Sequence, residues 1–144
     1  MNDSALYNRD ILRLASSLVA GDRLDNSDGT AESRSPICGS RIQADVAIAP
    51  DGTIAAIALR ANACALGQAS AAILRANAVG VDLATISELR SAIAEGLSGK
   101  ADMPSLWPEL ALLAPAKDYP SRHAAILLPY DALLATAQNL KLAS

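Results

Sequence analysis

The chain has 144 residues, 51% of them hydrophobic, and a formal net charge of −3 from 12 Lys and Arg against 15 Asp and Glu. That length fits one domain with its own core, 1–144 without an internal boundary, and the apolar content lies outside the disordered range. The acidic balance argues against a nucleic-acid partner, which needs a basic face. No apolar run reaches the ~18 residues of a membrane span, and two cysteines without a secretory signal point to a reducing, cytoplasmic setting.

Tyr7, Ile11, Leu14 and Leu18 fall on one stripe of a first helix, with Ser4 as its N-cap and Gly21 as its stop. A polar stretch from Asp22 to Gly29 reads as a loop, leading into a short edge strand near Thr30–Ser35. Ile42, Ala44, Val46 and Ile48 then alternate with Arg41, Gln43, Asp45 and Ala47, the period of a half-buried strand. Pro50, Asp51 and Gly52 supply a turn, and a second strand over Thr53–Ala63 completes an antiparallel hairpin.

After the hairpin the period becomes helical. Leu66, Ala69, Ile73 and Ala76 share a face of a helix over Ala65–Val79, closed by Gly80. Thr85 and Glu88 have capping-box spacing ahead of a helix striped by Ile86, Leu89, Ile93 and Leu97 and stopped at Ser98 and Gly99. Residues 100–108 form a linker, Glu109–Leu113 a short helix, and Tyr119 with Pro120 breaks the chain. Ser121 caps a last helix running to about Leu140. The sum is α+β, a small antiparallel sheet of about three strands covered by helices. With 31 alanines and no Phe, those helices should pack closely.

The two cysteines flank the hairpin. Cys38 precedes its first strand within Ser35-Pro36-Ile37-Cys38-Gly39-Ser40, and Cys64 follows its second within Ala63-Cys64-Ala65-Leu66-Gly67-Gln68. An antiparallel hairpin brings its open ends together, so thiols 26 residues apart in sequence become neighbours. Cys64 also stands at a helix N-terminus, where free N–H groups and the helix dipole favour the thiolate, which is both nucleophile and metal ligand. Against this stands the plain alternative that a free cysteine is a small buried hydrophobe. No phosphate-binding glycine loop, zinc-protease helix motif or hydrolase triad appears, which points to binding rather than catalysis.

These residues resemble a family. Pro36, Cys38 and Gly39, the hairpin, and the run from Ala63 through Gln68-Ala69-Ser70-Ala71 are similar to the iron–sulfur cluster assembly scaffolds of the IscU, SufU and NifU N-terminal type. The second motif is closest to the SufU branch. The resemblance extends to Tyr7, Asn8, Asp10 and Ile11 on one side and to Tyr119-Pro120-Ser121-Arg122 on the other. It implies the same α+β fold, sulfur received from a cysteine desulfurase, and a 2Fe-2S cluster assembled and passed to recipient apo-proteins, with zinc as an alternative occupant. Cys38 and Cys64 would be the ligands.

Two positions depart from that pattern. Ser40 stands where the family carries an aspartate, and an ungapped alignment on Arg122 puts Ala125 where it carries a third cysteine. A cluster or a structural zinc takes four ligands, and one chain offers two cysteines. Two chains could bridge one cluster as a homodimer, another side chain could substitute, an external thiol could complete the shell, or metal is not held firmly. His123, the sole histidine, is the first candidate substitute; lying two residues before Ala125, about 200° round a helix, it should point away. Glu32 and Ser35 precede Cys38 and are further candidates. Arg122 is either a surface charge or a neighbour of the site, whereas Trp107, Tyr7 and Tyr130 read as packing residues. The rival functions are a SufE-like sulfur-transfer accessory using one acceptor thiol, and a degenerate paralogue acting as an interaction module.

Overall fold

The computed structural model describes residues 6–36 and 39–140. Helix α1 (Arg9–Ser17) is followed by strands β1 (Gly29–Arg34), β2 (Arg41–Ile48) and β3 (Ile54–Asn62), then by helices α2 (Ala65–Asn77) and α3 (Leu83–Leu97). A 3-10 helix over Pro108–Asp118 and a short turn over Pro120–Arg122 lead into α4 (His123–Ala135), and Thr136–Asn139 adds a last 3-10 turn. The strands form one antiparallel sheet in the order β1-β2-β3. The expected α+β class and the hairpin are both present, with β1 at an edge.

The alternation read from sequence decides which face is buried. Ile42, Ala44 and Val46 of β2 are 0% exposed, and they pair with Ala61, Leu59 and Ile57 of β3 to make one apolar surface. Helices α2 and α4 cover that surface, α1 packs on α2, and α3 packs on α4. The turn at Gly52 has φ +90, and a register shift at Ala47 and Ile48 ends the ladder beside it. Helix α3 buries all four residues of its expected stripe, Ile86, Leu89, Ile93 and Leu97.

Three helix starts differ from expectation. Asn8, not Ser4, is the N-cap of α1: its side chain accepts the Ile11 N–H at 3.0 Å. Ser4 itself lies outside the described residues. Asp82 caps α3 by accepting the Thr85 N–H at 2.8 Å, so the helix begins at Leu83 and Thr85 is already inside it. Carboxylate and amide caps compete well with hydroxyls, which explains both outcomes. Ser121 caps nothing; Pro120 starts a 3-10 turn that runs directly into α4. The short helix expected over Glu109–Leu113 is longer and tighter, because Pro108 and Pro115 are accommodated in 3-10 geometry.

The polar stretch before β1 is a clamp. Asp22 accepts the Leu59 N–H at 3.3 Å and pairs with Arg75 at 2.5 Å, and Asp28 accepts the Ile48 N–H at 2.7 Å. Asp45 on β2 accepts the Leu24 N–H at 3.1 Å and forms a bidentate pair with Arg60 at 2.8 and 3.0 Å. Those side chains are 5% and 13% exposed. Arg60, hydrogen-bonded to Asp45, holds that carboxyl below the usual carboxylate range against the opposing effect of burial. In the helical layer Trp107 stacks on Tyr130 with ring centroids 6.5 Å apart, as packing residues.

Candidate functional site

The hairpin register fixes where Cys64 stands. Arg41 lies directly opposite Asn62 at the open end of β2–β3, and Cys64 follows Asn62 by two residues. Cys64 is the N-cap of α2 and is partly exposed. Its carbonyl accepts the Gln68 N–H at 2.9 Å, while its thiol makes no capping hydrogen bond. Gln68, one turn on, donates from Nε2 to the Ala63 carbonyl at 2.9 Å and ties the helix start to the end of β3.

Cys38 lies outside the described residues. The residues on either side belong to a tight connection between β1 and β2. The Ser35 N–H donates to the Ser40 carbonyl, and the Gly39 N–H to the Ser35 carbonyl, each at 2.9 Å. Gly39 has φ +70, a conformation that side chains with a β-carbon rarely take. Ser35 and Ser40 are buried, 5% and 4% exposed. This connection leads into Arg41, the residue paired with Asn62, so the described flanks of both cysteine motifs meet at one end of the sheet.

Helix α4 is the neighbour of both. Ser35 and Pro36 share a shallow cavity of about 400 Å³ with Ala124, Leu127 and Leu128. On the other side, Gly67 of α2 approaches Ala125 closely. A β-carbon at Gly67 would stand 3.6 Å from the Ala125 β-carbon, 3.4 Å from its carbonyl oxygen and 2.9 Å from the Ala63 β-carbon. Ala125 is 1% exposed. Pro129, inside α4, has no N–H to give the Ala125 carbonyl, whereas the Ser70 hydroxyl donates across from α2 to the next one, Ile126, at 2.6 Å. Ala125 thus sits one turn of α2 away from Cys64.

The substitute ligands do not assemble. The His123 Nε2 is 2.7 Å from the Ala116 carbonyl, which can only accept, so that nitrogen is committed as a donor. Glu32 is on the polar outer face, bound to Arg34 at 2.5 Å and to Gln43 at 3.1 Å. Arg122 lies over the Tyr7 ring at 5.9 Å from its centroid, a cation–π contact that ties the start of α4 to the segment before α1. No group of three or more His, Cys, Asp or Glu positioned for a metal occurs among the described residues. Sequence reading missed the Asp45–Arg60 pair and the Arg41–Asn62 row. Both follow from cross-strand register, and the hairpin's polar alternation was the available signal.

Comparison with known proteins agrees with this architecture. The NifU-like N terminal domain family matches residues 7–125. No curated protein sequence matches the chain. Among solved structures, a nitrogen-fixing NifU-like protein (N-terminal) from Brucella abortus superposes with a TM-score of 0.87 at 29% identity, covering 94% of each chain. A candidate iron–sulfur cluster assembly scaffold protein for the SUF system from Fervidobacterium islandicum AW-1 gives 0.83 at 18% identity, covering 94% of this chain and 98% of that one, which speaks for the fold. With its sheet, its helical cover and the span of both cysteine motifs inside the matched region, the chain belongs to the NifU-like N-terminal domain family.

Proposed function

We propose that this chain is an iron–sulfur cluster assembly scaffold that accepts sulfur and holds or passes on a 2Fe-2S cluster through Cys38 and Cys64, without being an enzyme. The observation that carries this reading is the position of Cys64. It is partly exposed, at the N-cap of α2 and the open end of β2–β3, one helical turn from the α4 residue aligned with the family's third cysteine. Sulfur acceptance is a thiol exchange. The cysteine thiolate attacks the outer sulfur of a desulfurase persulfide, that S–S bond breaks, a new persulfide forms here, and the desulfurase cysteine leaves as thiolate. Conversion to cluster sulfide then takes two electrons per sulfur from an external reductant. Recipient apo-proteins compete for the cluster because the chain supplies only two thiolates.

Anaerobic reconstitution with iron, cysteine and a desulfurase, followed by absorbance and metal analysis, tests this. A cluster spectrum lost in Cys64→Ser and Cys38→Ser is expected. Stoichiometric iron in neither monomer nor dimer defeats it.

One observation favours a second reading, a SufE-like sulfur relay: Ala125 fills the position aligned with the third cysteine, and the Nε2 of His123 serves the Ala116 carbonyl. That reading expects a persulfide on one thiol and no retained metal. Intact-mass measurement after desulfurase treatment separates the two, and persulfide on neither cysteine removes the relay.

A further inference from the structure

A groove of about 330 Å³ opens beside the candidate site, between the end of α1 and the open end of the hairpin. Leu18 and Val19 form its apolar rim, and Arg41, Gln43, Arg60, Asn62 and Gln68 its polar wall. The five polar residues are not equivalent. Gln43 is consumed, donating to Glu32 and accepting from Arg60, each at 3.1 Å. Gln68 is held by the Ala63 carbonyl. Arg60 is neutralised by Asp45.

Arg41 is different. It is exposed, stands opposite another cation, Arg34, across β1–β2, and has no carboxylate within ion-pair distance among the described residues. Glu32, which feels its charge through space, is bonded instead to Arg34. Asn62, exposed and directly opposite Arg41, adds an amide donor on the same face of the sheet. The groove therefore offers a guanidinium without a carboxylate partner among the described residues, and an amide, which together suit a carboxylate.

One residue, Ala63, separates Asn62 from Cys64. At ~3.3–3.6 Å per extended residue, a carboxylate held by Arg41 and Asn62 stands about two or three residues' length from the Cys64 backbone. The chain is short of ligands for a cluster: it has two cysteines, and the family resemblance puts Ala125 at a cysteine position and Ser40 at an aspartate position. We propose that this groove binds the carboxylate of a small peptide thiol and sets its sulfur beside Cys64. That would set a second thiolate beside Cys64. This inference rests on the cluster-holding reading above for its thiol, and on the groove alone for its carboxylate.

The test uses two probes on the full chain. Calorimetric titration with S-methylglutathione, which keeps the carboxylates and blocks the thiol, reads the groove without any cluster. Binding by the wild type, weakened about tenfold in Arg41→Gln, is expected for loss of one charge-assisted contact. No binding by the wild type, or equal binding by Arg41→Gln with its circular dichroism unaltered, overturns the proposal. The second arm compares iron retained after reconstitution and desalting in glutathione with that in 2-mercaptoethanol, a thiol without a carboxylate. Greater retention in glutathione, lost in Arg41→Gln, supports the proposal, and iron retained equally well in both thiols overturns it. Arg41-dependent binding of S-methylglutathione by a chain that keeps iron in neither thiol supports the groove and overturns the cluster reading alone.

Discussion

Replacing Ala125 by cysteine puts a third sulfur where the fold has room for little more than a methyl group. Ala125 is 1% exposed, and one of its walls is Gly67, whose missing β-carbon would lie 3.6 Å from the Ala125 β-carbon. Adding an atom to a closed site costs about 1–3 kcal/mol in strain. For a chain of this size that is a fall of roughly 2–12 °C in Tm, at about 2–4 °C per kcal/mol. Against this stands ligand binding to the native state. Zinc at 100 times its dissociation constant contributes about 2.7 kcal/mol, roughly 5–11 °C. In thermal melts with and without zinc, Ala125→Cys should therefore melt below the wild type when metal-free and rise by several degrees when zinc is added. The wild type should move much less, and Cys64→Ser in the Ala125→Cys background should cancel the rise. An Ala125→Cys chain that zinc stabilises no more than wild type refutes the placement of Ala125 beside Cys64. Survival of the rise without Cys64 refutes it too.

Other substitutions test the scaffolding of the site. Gly67→Ala should lower stability by up to about 2 kcal/mol in urea unfolding: a methyl group 2.9 Å from the Ala63 β-carbon outweighs the ~1 kcal/mol gained in helix propensity. A more stable variant contradicts the close packing of Gly67 against Ala63. Asp45→Asn should cost about 3 kcal/mol by leaving Arg60 without its partner at a site where the two side chains are only 5% and 13% exposed. Because the hydrogen bond from Arg60 holds the Asp45 carboxyl below its ordinary value in the folded chain, its stabilisation is complete above the unfolded value and is lost as pH falls through the depressed one. Acid unfolding curves should accordingly be shallower in Asp45→Asn, and an unchanged acid limb contradicts the pairing. His123→Ala should leave the metal content of reconstituted protein unchanged while costing about 1 kcal/mol, since Nε2 serves the Ala116 carbonyl. Loss of metal with the fold intact would make His123 a ligand.

Much of the fold is legible in the sequence because its signals are local. The alternation from Arg41 to Ile48 and the turn at Gly52 specify the hairpin, and the spacing of Ile86, Leu89, Ile93 and Leu97 specifies the buried face of α3. Helix starts were less legible, since Asp82 and Thr85 are both acceptable caps and tertiary packing chooses between them. The roles of Asp22, Asp28 and Asp45 were hidden for a different reason. Each reaches a backbone N–H some twenty or more residues away, a pairing that no window of sequence contains. At the candidate site, the position of Cys64 at the N-cap of α2 was readable from the hairpin and the helical period. The close contact of Gly67 with Ala125 was not, because it depends on how α2 crosses α4. The expectation for Cys38 falls outside the described residues.

The central claim is that Cys38 and Cys64 act on one iron–sulfur cargo. Its most direct test is the iron and acid-labile sulfide content per chain of anaerobically purified protein, measured together with its mass in solution. The account predicts iron and sulfide in equal amounts in the wild type, at one cluster per chain or per pair of chains, and neither in Cys38→Ser or Cys64→Ser. Iron and sulfide at wild-type levels in either variant would contradict it.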